Sequence, residues 1–206
     1  ASWTDFRDLA SRQKNTKDMG DLFERLTQLY LQTHPTYRSK IKNVWWCNNG
    51  ELPEEVRKKL NLPETDEGID LLCETYSGEY WSVQSKYQTN SDRPLNYKKL
   101  STFLSLSFVT AKGISTGLVV HTSAKKVKKS HLMGNTVELG LQHWLEISDG
   151  QWDQILDVCR GNLLQPPEKR KKRKYQELAI EKATKHYLKK GHSRGKLIMP
   201  CGTGKS

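Results

Sequence analysis

The sequence predicts a mixed α/β domain, and three observations predict it. Residues 18–33 carry apolar side chains at helical spacing. Residues 68–87 read as two β-rich runs around a short loop, and a second helical stretch at 96–112 leads into an apolar run at 115–123. Helix, strand, hairpin, helix and strand in that order belong to an α/β layer architecture.

In "DMGDLFERLTQLYLQT" (18–33), Leu22, Leu26, Leu29 and Tyr30 share one helical face, Phe23 extends the stripe, and His34-Pro35 ends it. "KNVWWCN" (42–48) is predicted as a short strand with a turn at Asn48-Asn49-Gly50, and 53–60 as a short polar helix. The runs 68–75 and 79–87 form a hairpin around Tyr76-Ser77-Gly78. Within 96–112, Leu100, Phe103, Leu104 and Phe108 recur at helical intervals, and "STGLVVHTS" (115–123) reads as a buried strand. Residues 124–150 show no clear period, and 151–160 is predicted as a short helix. Beyond the prolines and basic run of "QPPEKRKKRK" (165–174), Tyr175, Leu178, Ala179, Ala183 and Tyr187 mark a helix closed by Gly191. "GKLIMP" (195–200) is a strand candidate.

The composition narrows the classes of function. Of 206 residues, 35% are hydrophobic and 28% charged, which suits a water-soluble fold with a modest core. No apolar run approaches the roughly 20 residues that span a bilayer, and "ASWTDFRDLA" lacks the pattern of a secretory signal. The expected location is the cytoplasm. Cys47, Cys73, Cys159 and Cys201 are widely separated and form no C-x-x-C pair, which argues against a zinc site or a disulfide framework. The net charge of +11 points to a polyanionic partner, although "EKRKKRK" (168–174) supplies much of the excess in one run.

The hairpin holds the candidate site. Asp70, Gln84 and Lys86 lie inside apolar runs, where charge is costly unless paired or bound to metal. Gln84 and Lys86 share a strand face. A two-residue loop would set Asp70 opposite Ser85, on the wrong face. A three-residue loop, Tyr76-Ser77-Gly78, sets it opposite Gln84, and such loops want glycine third, where Gly78 stands. The predicted loop is therefore the three-residue one, with Asp70, Gln84 and Lys86 converging. A carboxylate and an amide oxygen are hard donors suited to Mg²⁺, and a neighbouring ammonium can orient a water and offset negative charge. Those parts suffice for metal-assisted phosphodiester hydrolysis; Asp and Lys near strand ends also pair simply with each other.

With "GDLFERL" upstream, "DEGIDL…WSVQSKY" resembles the Mrr-like branch of the PD-(D/E)xK restriction endonucleases. The matching residues are Gly20, Phe23 and Glu24, then Gly68, Ile69 and Asp70, then Gln84 and Lys86, with Gln-x-Lys where other branches have Glu-x-Lys. The likeness covers about residues 18–123. It implies a restriction-endonuclease-like core, a central mixed sheet flanked by helices. It implies Asp70 as the main metal ligand, Lys86 as the catalytic lysine, and Gln84 as a weaker ligand helped by the Ser85 backbone carbonyl. Because Gln84 removes a negative ligand, one Mg²⁺ is expected rather than two. The resemblance also brings Glu24 towards the metal through water. Asp66 competes for the role of Asp70 but fits a turn better, and His121 fits a structural histidine better than a DNA contact.

The last residues, "MPCGTGKS" (199–206), nearly fit the phosphate-binding loop G-x-x-x-x-G-K-[ST], with Met199 in place of the first glycine. This resembles the loop of superfamily 2 helicase-like translocases. Gly202, Thr203, Gly204, Lys205 and Ser206 would cradle phosphates and Mg²⁺, and Gln176 would contact adenine. The chain stops before the helix that such a loop needs, so ATP hydrolysis is expected only in a longer protein. The expected organisation is a nuclease domain at 1–165, a basic linker at 166–174, and the beginning of a RecA-like ATPase at 175–206.

Together these resemblances imply a Mg²⁺-dependent DNA endonuclease domain of an ATP-dependent restriction enzyme of the single-polypeptide (Type ISP) kind. It would cut double-stranded DNA after translocation by a downstream motor, with methyltransferase and target-recognition domains in the same polypeptide. The alternatives are an inactive DNA-binding or coupling module and a structure-specific (junction) nuclease. Arg93, Lys98, Lys99 and "KKVKK" (125–129) are the candidate DNA contacts, with solvated surface lysines as the plainer reading of most of them.

Overall fold

A computed structural model describes residues 1–64, 68–159, 174–191 and 193–195. The chain divides into two compact units, Ala1–Gln165 and Pro166–Ser206.

The first unit begins with α1 (Trp3–Ser11), α2 (Thr16–Thr33), the short α3 (Pro35–Arg38), β1 (Ile41–Trp46) and α4 (Glu54–Lys59). The hairpin β2 (Leu71–Thr75) and β3 (Tyr80–Lys86) follows, then α5 (Tyr97–Ser105), which runs on into a wider π-type turn at Leu106–Thr110. The unit continues with β4 (Ile114–His121), β5 (Thr136–Leu139), α6 (Leu141–Leu145) and α7 (Asp149–Cys159). In the second unit α8 (Lys174–Thr184) continues as a π-type turn to Lys189. The phosphate-loop residues, the strand candidate before them apart from Gly195, and Asp66 lie outside the described residues. Gln176 belongs to α8.

The five strands lie in the order β1-β2-β3-β4-β5. β1, β2 and β3 pair antiparallel, whereas β3, β4 and β5 pair parallel. The sheet is thus mixed, and the α5 crossover joins its two parts. Alternation along the strands sorts the core into two faces. Val44, Leu71, Cys73, Val83, Leu118, Val120 and Leu139 pack towards α1, α2, α6 and α7. Leu72 and Tyr80 pack against Val56 and Leu60, and Val119 against Leu100 and Phe103, so α4 and α5 cover the other face.

The stripe on α2 is buried as expected: Phe23, Leu26, Leu29 and Tyr30 enter the core. The buried core also takes in residues on both sides of the 18–123 stretch over which the family likeness runs. Trp3, Phe6 and Ala10 of α1 are buried, and so are Leu139, Trp144, Trp152 and Ile155. Trp144 closes the core from the C-terminal side, its ring centroid 6.0 Å from Trp3 and 5.3 Å from Phe23. The stretch 124–150 is no appendage: β5 extends the sheet edge, and α6 and α7 complete one helical layer.

Candidate active site

The hairpin register decides whether the site exists. Leu71 pairs with Val83, Cys73 with Trp81 and Glu74 with Tyr80, which requires a three-residue loop. Thr75 N–H donates to Glu79 O at 2.9 Å, Gly78 N–H donates to Thr75 O at 3.0 Å, and Gly78 has φ +83°. A side chain at that φ would be strained. The ladder stops one pair short of Asp70 and Gln84, where Asp70 N–H donates to Val83 O at 2.9 Å.

At that end Asp70 and Lys86 pair, and Gln84 lies on the same strand face as Lys86. The Asp70 carboxylate, 4% exposed as a residue, accepts the Ser85 backbone N–H through Oδ2 at 2.6 Å. Lys86 Nζ lies 3.8 Å from the same oxygen, its side chain one-third exposed. The paired ammonium and the charge-assisted hydrogen bond offset the cost of burying the carboxylate. Gln84, 3% exposed, donates Nε2 to Gly68 O at 2.9 Å, whereas its Oε1 is buried and accepts no hydrogen bond. The contact that Ser85 makes with Asp70 is through its N–H, so the carbonyl expected as a metal ligand is not the group that holds the carboxylate.

Glu24 reaches the site from α2. Trp46 Nε1–H donates to its Oε2 at 2.8 Å. Burial first, and the Asp70 charge second, raise its pKa from the usual 4.5 to about 7, against the Trp46 hydrogen bond and Lys86. Trp46 was not legible as a site residue, because only the fold brings β1 beneath α2. In metal-free buffer this shift has a direct consequence. Because the folded pKa is raised, Glu24 contributes stability that is full below pH 4.5 and is lost as the pH rises through about 7. Urea unfolding in EDTA at pH 5 and pH 8 should therefore show Glu24→Gln gaining on the wild type at the higher pH. An unchanged difference between the two proteins would contradict that account.

Gly68 explains one residue of the Gly-Ile-Asp motif. Its φ is +112°, and a Cβ there would lie 3.6 Å from both Gln84 Nε2 and the Phe103 backbone N. The space is ordinary but the backbone is not. Gly68→Ala should destabilise the fold by about 1–3 kcal/mol through strain alone, a loss readable as a lowered urea midpoint. By contrast, a Cβ at Gly20 would meet nothing within 4 Å, so the fold does not require glycine there.

His121 pairs with Lys86 in the β3–β4 ladder but is only 1% exposed. Its Nδ1 accepts the Ser123 N–H at 3.1 Å and its Nε2 lies 2.8 Å from Glu138 Oε1, which fixes the neutral Nε2–H tautomer. It is a structural histidine. The same Glu138 oxygen accepts Val127 N–H at 2.8 Å and so holds the basic segment 125–129 at this end of the sheet. Arg93, Lys98, Lys125, Lys126, Lys128 and Lys129 are exposed, and Lys99 lies on α5.

Among the described residues no three His, Cys, Asp or Glu side chains cluster as a metal set. The oxygen donors that do fit a hard cation are Asp70, the unpartnered Gln84 Oε1 and a backbone carbonyl, with Glu24 behind them. An unpaired amide oxygen beside a buried carboxylate matches that chemistry, because a cation satisfies both.

A family model described as restriction endonuclease matches residues 32–157. Among solved structures, an ATP-dependent Type ISP restriction-modification enzyme, LlaBIII, bound to DNA, is similar over 97% of this chain at 25% identity, with a TM-score of 0.61. The chain spans only 12% of that protein's length. No curated protein matches.

Proposed function

The chain belongs to the restriction endonuclease family, and on that premise we propose that it is the Mg²⁺-dependent DNA-cleaving domain of an ATP-dependent restriction enzyme. The observation that carries the reading is the convergence of Asp70, Gln84 and Lys86 at the end of one hairpin, with Glu24 facing them.

In this reading Asp70 and Gln84 Oε1 would hold Mg²⁺, with the Ser85 carbonyl as a further oxygen donor. When bound, the ion supplies Lewis-acid stabilisation of the charge that develops on the phosphodiester. Lys86 orients the attacking water and places a positive charge beside the phosphate. Asp70 positions that ammonium, and the Ser85 N–H keeps the carboxylate in place. Glu24, with its raised pKa, can take up a proton near neutral pH beside Asp70.

The exposed basic residues on the 87–96 loop, α5 and the 125–129 segment supply the electrostatic hold on double-stranded DNA. If they touch phosphates, affinity should fall steeply and linearly in log–log form with salt. A flat slope in a filter-binding or anisotropy titration would remove them from the interface. ATP binding at 199–206, translocation by a downstream motor, and methyltransferase and target-recognition domains in the same polypeptide complete the proposal by analogy with the Type ISP enzyme. The deciding assay is nicking of supercoiled plasmid by the complete polypeptide with ATP and Mg²⁺, then with EDTA. Metal-dependent nicking is expected. Its absence in a protein that hydrolyses ATP on its own target would favour a DNA-coupling module instead.

A further inference from the structure

The strand end that carries Gln84 and Lys86 also forms one wall of a cleft of about 490 Å³. Its lining also includes Gln88, Asn90, Arg93, Pro94 and Leu95 from the loop between β3 and α5, and Leu100 from α5. Cleavage of a duplex backbone does not require such a hollow, since the scissile phosphate sits on the outside of the helix. A volume of this size suits a small ligand with a few polar anchors over an apolar floor.

The cleft is built. Gln88 N–H donates to Thr122 Oγ1 at 2.7 Å, and that hydroxyl donates back to Gln88 O at 3.0 Å. Ser123 Oγ donates to Arg93 O at 2.7 Å, and Ala124 N–H donates to Ser91 O at 2.8 Å. These bonds strap the loop to the end of β4, so the hollow is held open by the fold.

One group in its lining is left unexplained by the hydrolytic site. Gln88 Oε1 is shielded from solvent and accepts no hydrogen bond, while its Nε2 reaches Pro94 O only at 3.5 Å, the outer limit for such a bond. An amide held so weakly turns at little cost. Turned into the cleft, its oxygen would accept from a donor on a ligand, and the exocyclic amino groups of nucleobases are such donors.

We propose that this cleft is a subsite for one unstacked nucleotide next to the scissile phosphate, its base over Leu95 and Leu100 and its edge against Gln88, with Arg93 at the rim for a flanking phosphate. The assignment rests on the nuclease reading and deepens it. Drawing a base out of a duplex costs unstacking and unpairing energy, which is least at mismatched or single-stranded positions. The domain therefore cuts most readily where the DNA is already open.

The test uses the complete polypeptide with ATP and Mg²⁺ on two plasmids, one fully matched and one carrying a short mismatched bubble. Nicking at the bubble should exceed nicking at the same sequence when matched by at least about ten-fold, because a mismatch removes part of the unpairing cost. Leu95→Trp, which fills the cleft, and Gln88→Ala, which removes the acceptor, should each erase most of that preference. Equal nicking of both plasmids, with both variants behaving like the wild type, would overturn the subsite while leaving the nuclease intact. A second readout does not depend on cleavage: duplex oligonucleotides carrying 2-aminopurine should brighten on binding as a base unstacks. That rise should vanish in Leu95→Trp and weaken in Gln88→Ala. If the wild type nicks neither plasmid, the nuclease reading falls, and the fluorescence decides the subsite alone. A rise that persists in both variants would overturn it.

Discussion

Lys86→Ala in the complete polypeptide should lower metal-dependent plasmid nicking by about 10²–10³-fold or more, the scale seen when one preorganised charge-stabilising group is removed from an active site. DNA affinity should change little, because the Lys86 side chain is only one-third exposed and is already paired to Asp70 at 3.8 Å. Asp70→Ala should be at least as damaging. It removes the buried carboxylate that positions the ammonium and accepts the Ser85 N–H at 2.6 Å. Single-turnover nicking beside an equilibrium binding titration separates the two quantities. Nicking preserved in Lys86→Ala would take that residue out of the mechanism. A parallel loss of binding and nicking would instead make the lysine a DNA contact.

The largest effect on stability should come from Trp144→Ala, at about 3–5 kcal/mol, the usual cost of truncating a fully buried aromatic side chain. Trp144 touches both ends of the core. Its ring meets Trp3 of α1, Phe23 and Tyr30 of α2, and its Nε1–H donates to His121 O at 3.2 Å. Truncation would leave a cavity and a buried carbonyl without its partner. Tyr76→Ala is the control, since Tyr76 is 68% exposed at the tip of the hairpin and should lie within about 0.5 kcal/mol of the wild type. A loss at Trp144 as small as at Tyr76 would show that α6 is not part of the cooperative core. Urea denaturation of the two variants side by side decides it.

The parts of the fold that were legible share one property: their signal is local. Phe23, Leu26 and Tyr30 recur at helical spacing within one segment, and the β2–β3 register follows from the need for a positive φ at Gly78. What escaped were elements too short or too plain to carry a period. β5 has four residues, of which only Leu139 is buried. No helix is legible in residues 1–17, yet Trp3, Phe6 and Ala10 of α1 are buried there against α2 and Trp144. A helix of nine residues is marginal by itself and forms because the core offers it a face.

The amino-acid sequence by itself determined the hairpin loop and hence which face Asp70, Gln84 and Lys86 share, because side-chain direction along a strand has a period of two residues. It also determined the helical face that α2 turns to the core. Only the tertiary structure decided that Glu24 is buried beside Asp70, so that desolvation first and the Asp70 charge second raise its proton affinity, and that Trp46 holds it there. The tertiary structure likewise decided that His121 is sealed between Ser123 and Glu138, and that Gln88 lines a cleft with its oxygen unpaired. Those outcomes depend on desolvation and on groups from distant segments meeting in space. Neither quantity is written in the spacing of residues along a single stretch of chain.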